Sequence, residues 1–236
     1  MIAVIADDLS GAAEIAGIAL RFELSVEIAF EVNENTTADV LIISTDTRSM
    51  DVAAAINMTE VVVTNLIKLN PAWIYKKIDS VLSGHVFAEI QTQLAICKNK
   101  AVFIIPANPS MGRTIINGHY YIQDVPIHLT GFASDPEFAI NNSLVKTFLR
   151  QESEMIDVKS IADGIPLNGI AIAEAASMND MYAWAKMSIG SSVLLAGAGD
   201  FFQAILLEKY IEKNLGINTD ISIESTTNQL LVVGTN

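Results

Sequence analysis

The sequence predicts an α/β protein, a three-layer, Rossmann-like, mainly parallel sheet flanked by helices. Short apolar runs of strand length alternate with amphipathic stretches long enough to be crossover helices. The apolar runs are continuous rather than alternating, which is the pattern of strands covered on both faces. Polar, chemistry-bearing residues follow directly after several of these runs, at the edge where open α/β sheets bind ligands.

In chain order, strands are expected at 2–6, 26–30, 40–44, 73–75, 102–105, 170–173 and 193–196, and helices at 11–22, 52–69, 86–96, 179–187 and 201–214. The stretch 106–126 interrupts the alternation with Pro, Asn, Gly and Ser. It reads either as a proline-stiffened loop that mounts donors or as an ordinary turn followed by a hairpin. The run 229–234 reads as a new strand, so the expected division is 1–228 as one domain and 229–236 as the start of a second.

Composition narrows the class. With 51% apolar and 17% charged residues spread along 236 positions, the chain has the makings of a packed globular core. Lys plus Arg number 14 against 27 Asp plus Glu, and the net charge of -13 repels phosphate backbones and anionic lipid. Nucleic acid and membrane surfaces are therefore not expected partners, whereas a small anion in a locally basic pocket is compatible. Cys97 is the single cysteine, so no intramolecular disulfide forms, and it lies in an apolar run expected to be core. The first apolar stretch has no basic flank and is cut short by two aspartates, which argues against a signal peptide or a span and for the cytoplasm.

Five places carry candidate chemistry. Asp7 and Asp8 follow the first strand, and two adjacent carboxylates cannot point the same way. One suits a general base or a metal contact while the other caps the next helix; equally, both serve as helix-start residues. Arg48, in Ser44-Thr-Asp-Thr-Arg-Ser, suits bidentate binding of a carboxylate, or else a surface ion pair with Asp46 or Asp51. Lys76, Lys77 and Asp79 arrive together at the end of another strand, where alternation lets only one lysine face each side. They suit a hydroxy acid, or a strand-end salt bridge. His85 reads as a helix-start residue or a substrate contact. Asn108, Arg113 and Thr114 lie in the proline-bearing stretch, and Gly197 to Asp200 offers backbone N–H groups for an anion or close packing for its glycines.

The order and wording of these segments, IADDLSGAAE, STDTRS, KKIDSVLSGHVFAEI, PANPSMGRTIINGHYYI and AGAGDFFQAIL, resemble the four-carbon acid-sugar kinases (domain family DUF1537), which phosphorylate threonate, erythronate and 3-oxo-tetronate. The resemblance runs over nearly the whole chain. It implies an N-terminal domain that binds the sugar acid and a second domain that supplies most ATP contacts, with Mg²⁺ bridging the phosphates. It places Asp8 and Asp7 as candidate bases, Asp8 slightly ahead, and Arg48, Lys77, Asp79, Asn108, Arg113 and Thr114 in or beside the substrate site. Two departures stand out. Ser83 precedes Gly84 where the family usually has arginine, and 230–235 resembles only the beginning of the nucleotide-binding half.

The expectation is therefore a substrate-binding half, whether an isolated domain, a product of a shortened or split gene, or a free-standing module that binds without turnover. Its expected partners are a small sugar acid, a separate nucleotide-binding half and, through the surface that half would cover, a second copy of itself. An aspartyl phosphatase is disfavoured because that chemistry wants a second Asp two residues after the first and position nine is Leu9. A nicotinamide dehydrogenase is disfavoured for want of the glycine fingerprint.

Overall fold

The computed structural model describes residues 1–134, 139–149 and 156–210. The main sheet is formed by β1 (Ile2–Ala6), β2 (Val26–Ala29), β3 (Val40–Ser44), β4 (Ile74–Lys77), β5 (Ala101–Ile105), β9 (Ile156–Lys159), β10 (Gly169–Ala173) and β11 (Leu194–Gly197). A smaller antiparallel sheet is formed by β6 (Arg113–Ile116), β7 (His119–Ile122) and β8 (Val125–Pro126). The helices are α1 (Leu9–Arg21), α2 (Val52–Lys68), α3 (Val86–Cys97), α4 (Met178–Ser188) and α5 (Gly199–Tyr210).

The main sheet has eight strands in the order β2-β3-β1-β4-β11-β5-β10-β9, all parallel. Strands β1, β3 and β5 are buried at every residue, which explains their unbroken apolar runs. Alternation divides the core in two. Ile2, Val4 and Ala6 of β1 face a core shared with Ile15 and Ala19 of α1 and with Phe201 and Ile205 of α5. Ala3 and Ile5 face the other core with Val62, Val63 and Leu66 of α2. In α2 the buried positions Ala55, Thr59, Val62, Val63 and Leu66 follow the helical period, and Asp51 caps its start by accepting from the Ala54 N–H at 2.9 Å.

From β1 the chain runs out to β2, returns through β3 to one side of β1, and then crosses to β4 on the other side. α2 packs on α3, while α1 and α4 pack on α5. The strand order thus reverses at β1 and β4, and the crevice outside their carboxyl ends is where such sheets bind ligands.

The seven expected strands of the main sheet are all present. Residues 156–159 were not expected as a strand. This segment is an edge strand of only four residues in which Asp157 and Lys159 alternate with Ile156 and Val158, too little for an apolar run. The stretch 106–126 is a turn followed by a hairpin. Its Asn117-Gly118 corner has φ of 51° and 75°, as a tight two-residue hairpin requires. α1 starts at Leu9, two residues before the expected position, because Asp8 caps it. The expected strand at 229–234, the domain boundary at 228 and the end of the expected helix 201–214 lie outside the described residues.

Lys76 and Glu89 form an ion pair in the layer between β4 and α3, with both side chains only 1% exposed. Burial pushes the Glu89 carboxyl up, but the Lys76 ammonium, with smaller help from neighbouring groups, holds it below its ordinary value. Removing one partner strands the other's charge in a dry interior, which costs about 3–5 kcal/mol, whereas replacing both by apolar residues is often neutral or stabilising. Lys76→Ala is expected to lose about that much stability in urea denaturation, and Lys76→Met with Glu89→Leu to stay within about 1 kcal/mol of the parent or exceed it. A double variant as unstable as the single one would mean that the pair itself, not its pairing, holds the layers together.

Candidate functional site

Four of the five places singled out in the sequence lie at the carboxyl edge of the main sheet, after β1, β3, β4 and β11, and the fifth begins there, after β5. At their centre is Arg48. It follows β3 in a short 3-10 turn, Thr47–Ser49, entered through Asp46 in a left-handed conformation with φ of 53°. The backbone is anchored to β1, since the Thr45 N–H donates to the Ala6 carbonyl at 2.8 Å. The guanidinium donates Nε and Nη2 to Asp7 Oδ2, at 3.1 and 3.0 Å, and approaches Asp8 Oδ2 with Nη1 at 2.8 Å. Neither Asp46 nor Asp51 is its partner in these contacts.

The two aspartates have different surroundings. Asp8 caps α1, accepting from the Gly11 N–H at 2.7 Å through Oδ1, so both of its oxygens are engaged. Asp7 is 3% exposed, and its Oδ1 is buried without a hydrogen-bond partner. Burial raises the Asp7 carboxyl above its ordinary value, against the pull of Lys76 and Arg48. Gly84 sits over this pair with φ of 91°, and a Cβ there would lie 3.4 Å from Arg48 Cγ and 3.6 Å from Asp7 Oδ2. Only glycine adopts that conformation at no steric cost.

The two lysines of β4 point to opposite faces, as alternation requires. Lys76 meets Glu89 on α3; Lys77 meets Glu14 on α1 at 3.0 Å and donates to the Ile78 carbonyl at 3.1 Å. Asp79 accepts from the Ser83 N–H at 3.2 Å. His85 precedes α3 without a side-chain cap, and its Nε2 lies 2.6 Å from the Met50 carbonyl, tying the start of α3 to the Arg48 loop.

Arg113 reaches back from the hairpin to the Ser80 hydroxyl and lies over the Phe132 ring at 5.9 Å. Thr114, next along β6, falls on the opposite face of the hairpin by alternation, and its Oγ1 is buried without a partner. Asn108 belongs to a neighbouring cluster. Its Oδ1 accepts from the Asp200 N–H at 3.0 Å, and Asp200 in turn accepts from the Ser110 N–H and hydroxyl at 2.8 and 2.7 Å. A cleft of about 440 Å³ opens beside this cluster, lined among others by Glu14, Arg21, Ser110, Tyr182 and Asp200.

Asp7, Asp8 and Arg48 thus gather at one point, while Asp79 and Ser80 lie in the loop after β4 and Arg113 reaches that loop from the hairpin. Lys77 lies on the α1 side, and Asn108 and Thr114 lie apart. The glycines at the end of β11 and just beyond it have packing roles. A Cβ at Gly197 would lie 2.6 Å from the Ile105 carbonyl, and one at Gly199 would run into the Glu14 carboxylate. Sequence reasoning missed Glu14 and Glu89. The signal for Glu89 is a lone charge between Val86 and Ile90 on the core-facing side of α3. Among the described residues, no group of three or more His, Cys, Asp and Glu is placed to hold a metal ion, and no helix is long and apolar enough to cross a membrane. A cavity of about 500 Å³ under the opposite edge, lined by Trp73, Gln93 and Lys209, holds none of the expected residues.

Comparison with known proteins bears on this edge. The family described as the sugar-binding N-terminal domain matches residues 2–205. The chain is 28% identical to a D-threonate kinase of Salmonella typhimurium, over 89% of this chain and 54% of that protein. It is 24% identical to a D-erythronate kinase of Heliobacterium modesticaldum (86% and 52%) and 24% identical to a 3-oxo-tetronate kinase of Pseudomonas fluorescens (84% and 52%). The chain spans about half the length of these relatives. The fold is also that of a Haemophilus influenzae protein of family DUF1537, with a TM-score of 0.79 at 20% identity over 88% of this chain and 56% of that one. A Bordetella bronchiseptica DUF1537 protein, described as a domain-swapped dimer with bound citrate, has a TM-score of 0.75 at 23% identity over 86% and 55%. By the match over residues 2–205, and by kinships with all three kinds of kinase, this chain belongs to the four-carbon acid-sugar kinase family, whose sugar-binding N-terminal domain it carries.

Proposed function

We propose that this chain is the substrate-binding half of an ATP-dependent kinase that phosphorylates the terminal hydroxyl of a four-carbon sugar acid: threonate, erythronate or 3-oxo-tetronate. The observation that carries the reading is Asp7, a buried carboxylate at the sheet's switch point with one oxygen held by Arg48 and the other without a partner. A carboxylate raised above its ordinary value and fixed in direction is suited to take a proton from a hydroxyl.

In this assignment Asp7 is the base and Asp8 positions Arg48. The reason is capacity: Asp8 already accepts the cap hydrogen bond and the Arg48 contact, while Asp7 Oδ1 has an acceptor site left over. Arg48, whose contacts run to both aspartates, orients the base. Arg113 takes the part of the carboxylate anchor, because its planar fork retains donors beyond the one on Ser80. Lys77 and Asp79 border the pocket. A small acid ligand is in keeping with the citrate named for the Bordetella protein, and self-association with the dimer named for it.

ATP and Mg²⁺ enter this reading through the kinase relatives. Among the described residues no three acidic or imidazole side chains are placed to hold a metal by themselves, so a Mg²⁺ here would come with the nucleotide, whose phosphates take much of its coordination. No step is therefore assigned to the metal, and the nucleotide contacts are proposed to come from polypeptide corresponding to the other half of the relatives.

Calorimetric titration of the purified chain with D-threonate and D-erythronate, each with and without ATP and Mg²⁺, tests the reading. Binding of an acid alone is expected, weakened about tenfold or more in Arg113→Ala, as loss of a charge-assisted hydrogen bond implies. An absence of acid binding under all four conditions would overturn it.

Asp7→Asn gives a second test. Because burial raises the Asp7 pKa, the folded state holds its proton more tightly than the unfolded chain. The carboxylate therefore costs stability once pH rises through the window above the ordinary carboxylate value. Asp7→Asn is expected to melt higher than the parent at pH 7, with the gap closing as pH falls toward the ordinary value. A variant that melts lower at pH 7 would show that the Arg48 attraction outweighs burial.

A further inference from the structure

The amino-terminal edge of the main sheet, opposite the edge that carries Asp7, holds the cavity of about 500 Å³ at the starts of β4 and β11. Trp73, Ile74, Val193 and Leu194 line it there, Gln93 reaches it from α3 and Lys209 from α5. Left-handed corners at Asn70 and Gly190, with φ of 48° and 79°, turn the chain at its rim. Asn99 Nδ2 donates to the Ser192 carbonyl at 2.6 Å, which fastens the loop before β11 to the turn after α3.

Several polar groups of this wall are already engaged. The Ser188 hydroxyl donates to the Trp184 carbonyl at 2.8 Å, and the Ser191 hydroxyl to the Ser188 carbonyl at 2.6 Å. Gln93 differs. It is 0% exposed, and among the described residues neither its Oε1 nor its Nε2 has a hydrogen-bond partner. Native interiors leave few amides in that state, because each unpaired group keeps the full cost of leaving water.

The cavity also runs against the charge of the chain. Acids outnumber bases 27 to 14 in the sequence, yet none of the lining residues is Asp or Glu, and Lys209 is the one charged residue among them. Its Nζ lies 5.1 Å from the centroid of the Trp73 ring, and among the described residues no carboxylate pairs with it. These two features select the occupant. A carboxylate alone would satisfy Gln93 Nε2 and leave Oε1, and an ammonium would do the reverse; an amide or lactam, with a donor beside an acceptor, satisfies both. A negative group elsewhere on the same molecule meets Lys209.

We propose that this cavity is a second binding site, which takes a small organic anion bearing an amide or lactam edge, the edge on Gln93 and the anion at Lys209. It lies at the other end of β4 from Lys77 and the Arg48 cluster, so its occupant does not compete with a sugar acid, and the proposal stands independently of the kinase reading.

The test uses the full chain and calorimetry with orotate, a planar lactam carrying one carboxylate, beside uracil, which lacks the charge, and benzoate, which lacks the lactam. Saturable orotate binding is expected, about tenfold or more tighter than either and unchanged by D-threonate. Gln93→Leu is expected to weaken orotate about tenfold yet to melt about 2–4 °C above the parent, because it removes a buried amide without partners. Lys209→Met is expected to bring orotate down to the level of uracil with the melting temperature unchanged. A Gln93→Leu variant that melts below the parent would show that the amide serves the fold, and would overturn the proposal. So would an absence of orotate binding, its displacement by D-threonate, or parental affinity in either variant.

Discussion

The guanidinium of Arg48 spans Asp7 and Asp8, and the geometry of the edge depends on that bridge. Two adjacent carboxylates at the start of a helix repel each other, and one of them is almost fully buried. The helix dipole and the Gly11 N–H stabilise Asp8, while Asp7 relies on Arg48 from a different strand loop. The cation therefore does two jobs at once. It lets a carboxylate exist at a sheet edge covered by the Gly84 turn, and it leaves one oxygen of that carboxylate uncommitted.

The parallel sheet makes this bridge possible. Because β1, β3 and β4 are neighbours running the same way, residues following each strand emerge at one edge although 41 positions separate Asp7 from Arg48. The same alternation that buries Ile5 on the α2 side and Val4 on the α1 side sends Lys76 to Glu89 and Lys77 to Glu14. Each lysine is matched to an acid on the helix that covers its face, so neither cation is buried alone, and burying one alone costs far more than burying a matched pair.

The hairpin adds the other wall. Arg113 stands at its root, where Asn108 and Arg113 exchange backbone hydrogen bonds of 2.8 and 3.1 Å, and reaches Ser80 in the loop after β4. Asn108 turns the other way to Asp200, so one short stretch serves two clusters. This explains why the polar residues of 106–126 did not all arrive at the same point.

The sequence by itself determined the layers, the seven core strands and the edge at which the polar residues emerge. Continuous apolar runs and helical periods are local consequences of burial on two faces or one. It also determined the family, through the order of its motifs. It did not determine which aspartate is spent as a cap, since that depends on a 2.7 Å approach to Gly11 that spacing alone does not reveal. Nor did it determine that Arg48 faces Asp7 and Asp8 rather than Asp46 or Asp51, that Thr114 turns from Arg113, or that Glu89 stands behind the site. Those were decided by the tertiary structure, because each depends on which charges strand pairing brings within a few ångströms in a medium where an unpaired charge is too costly to leave.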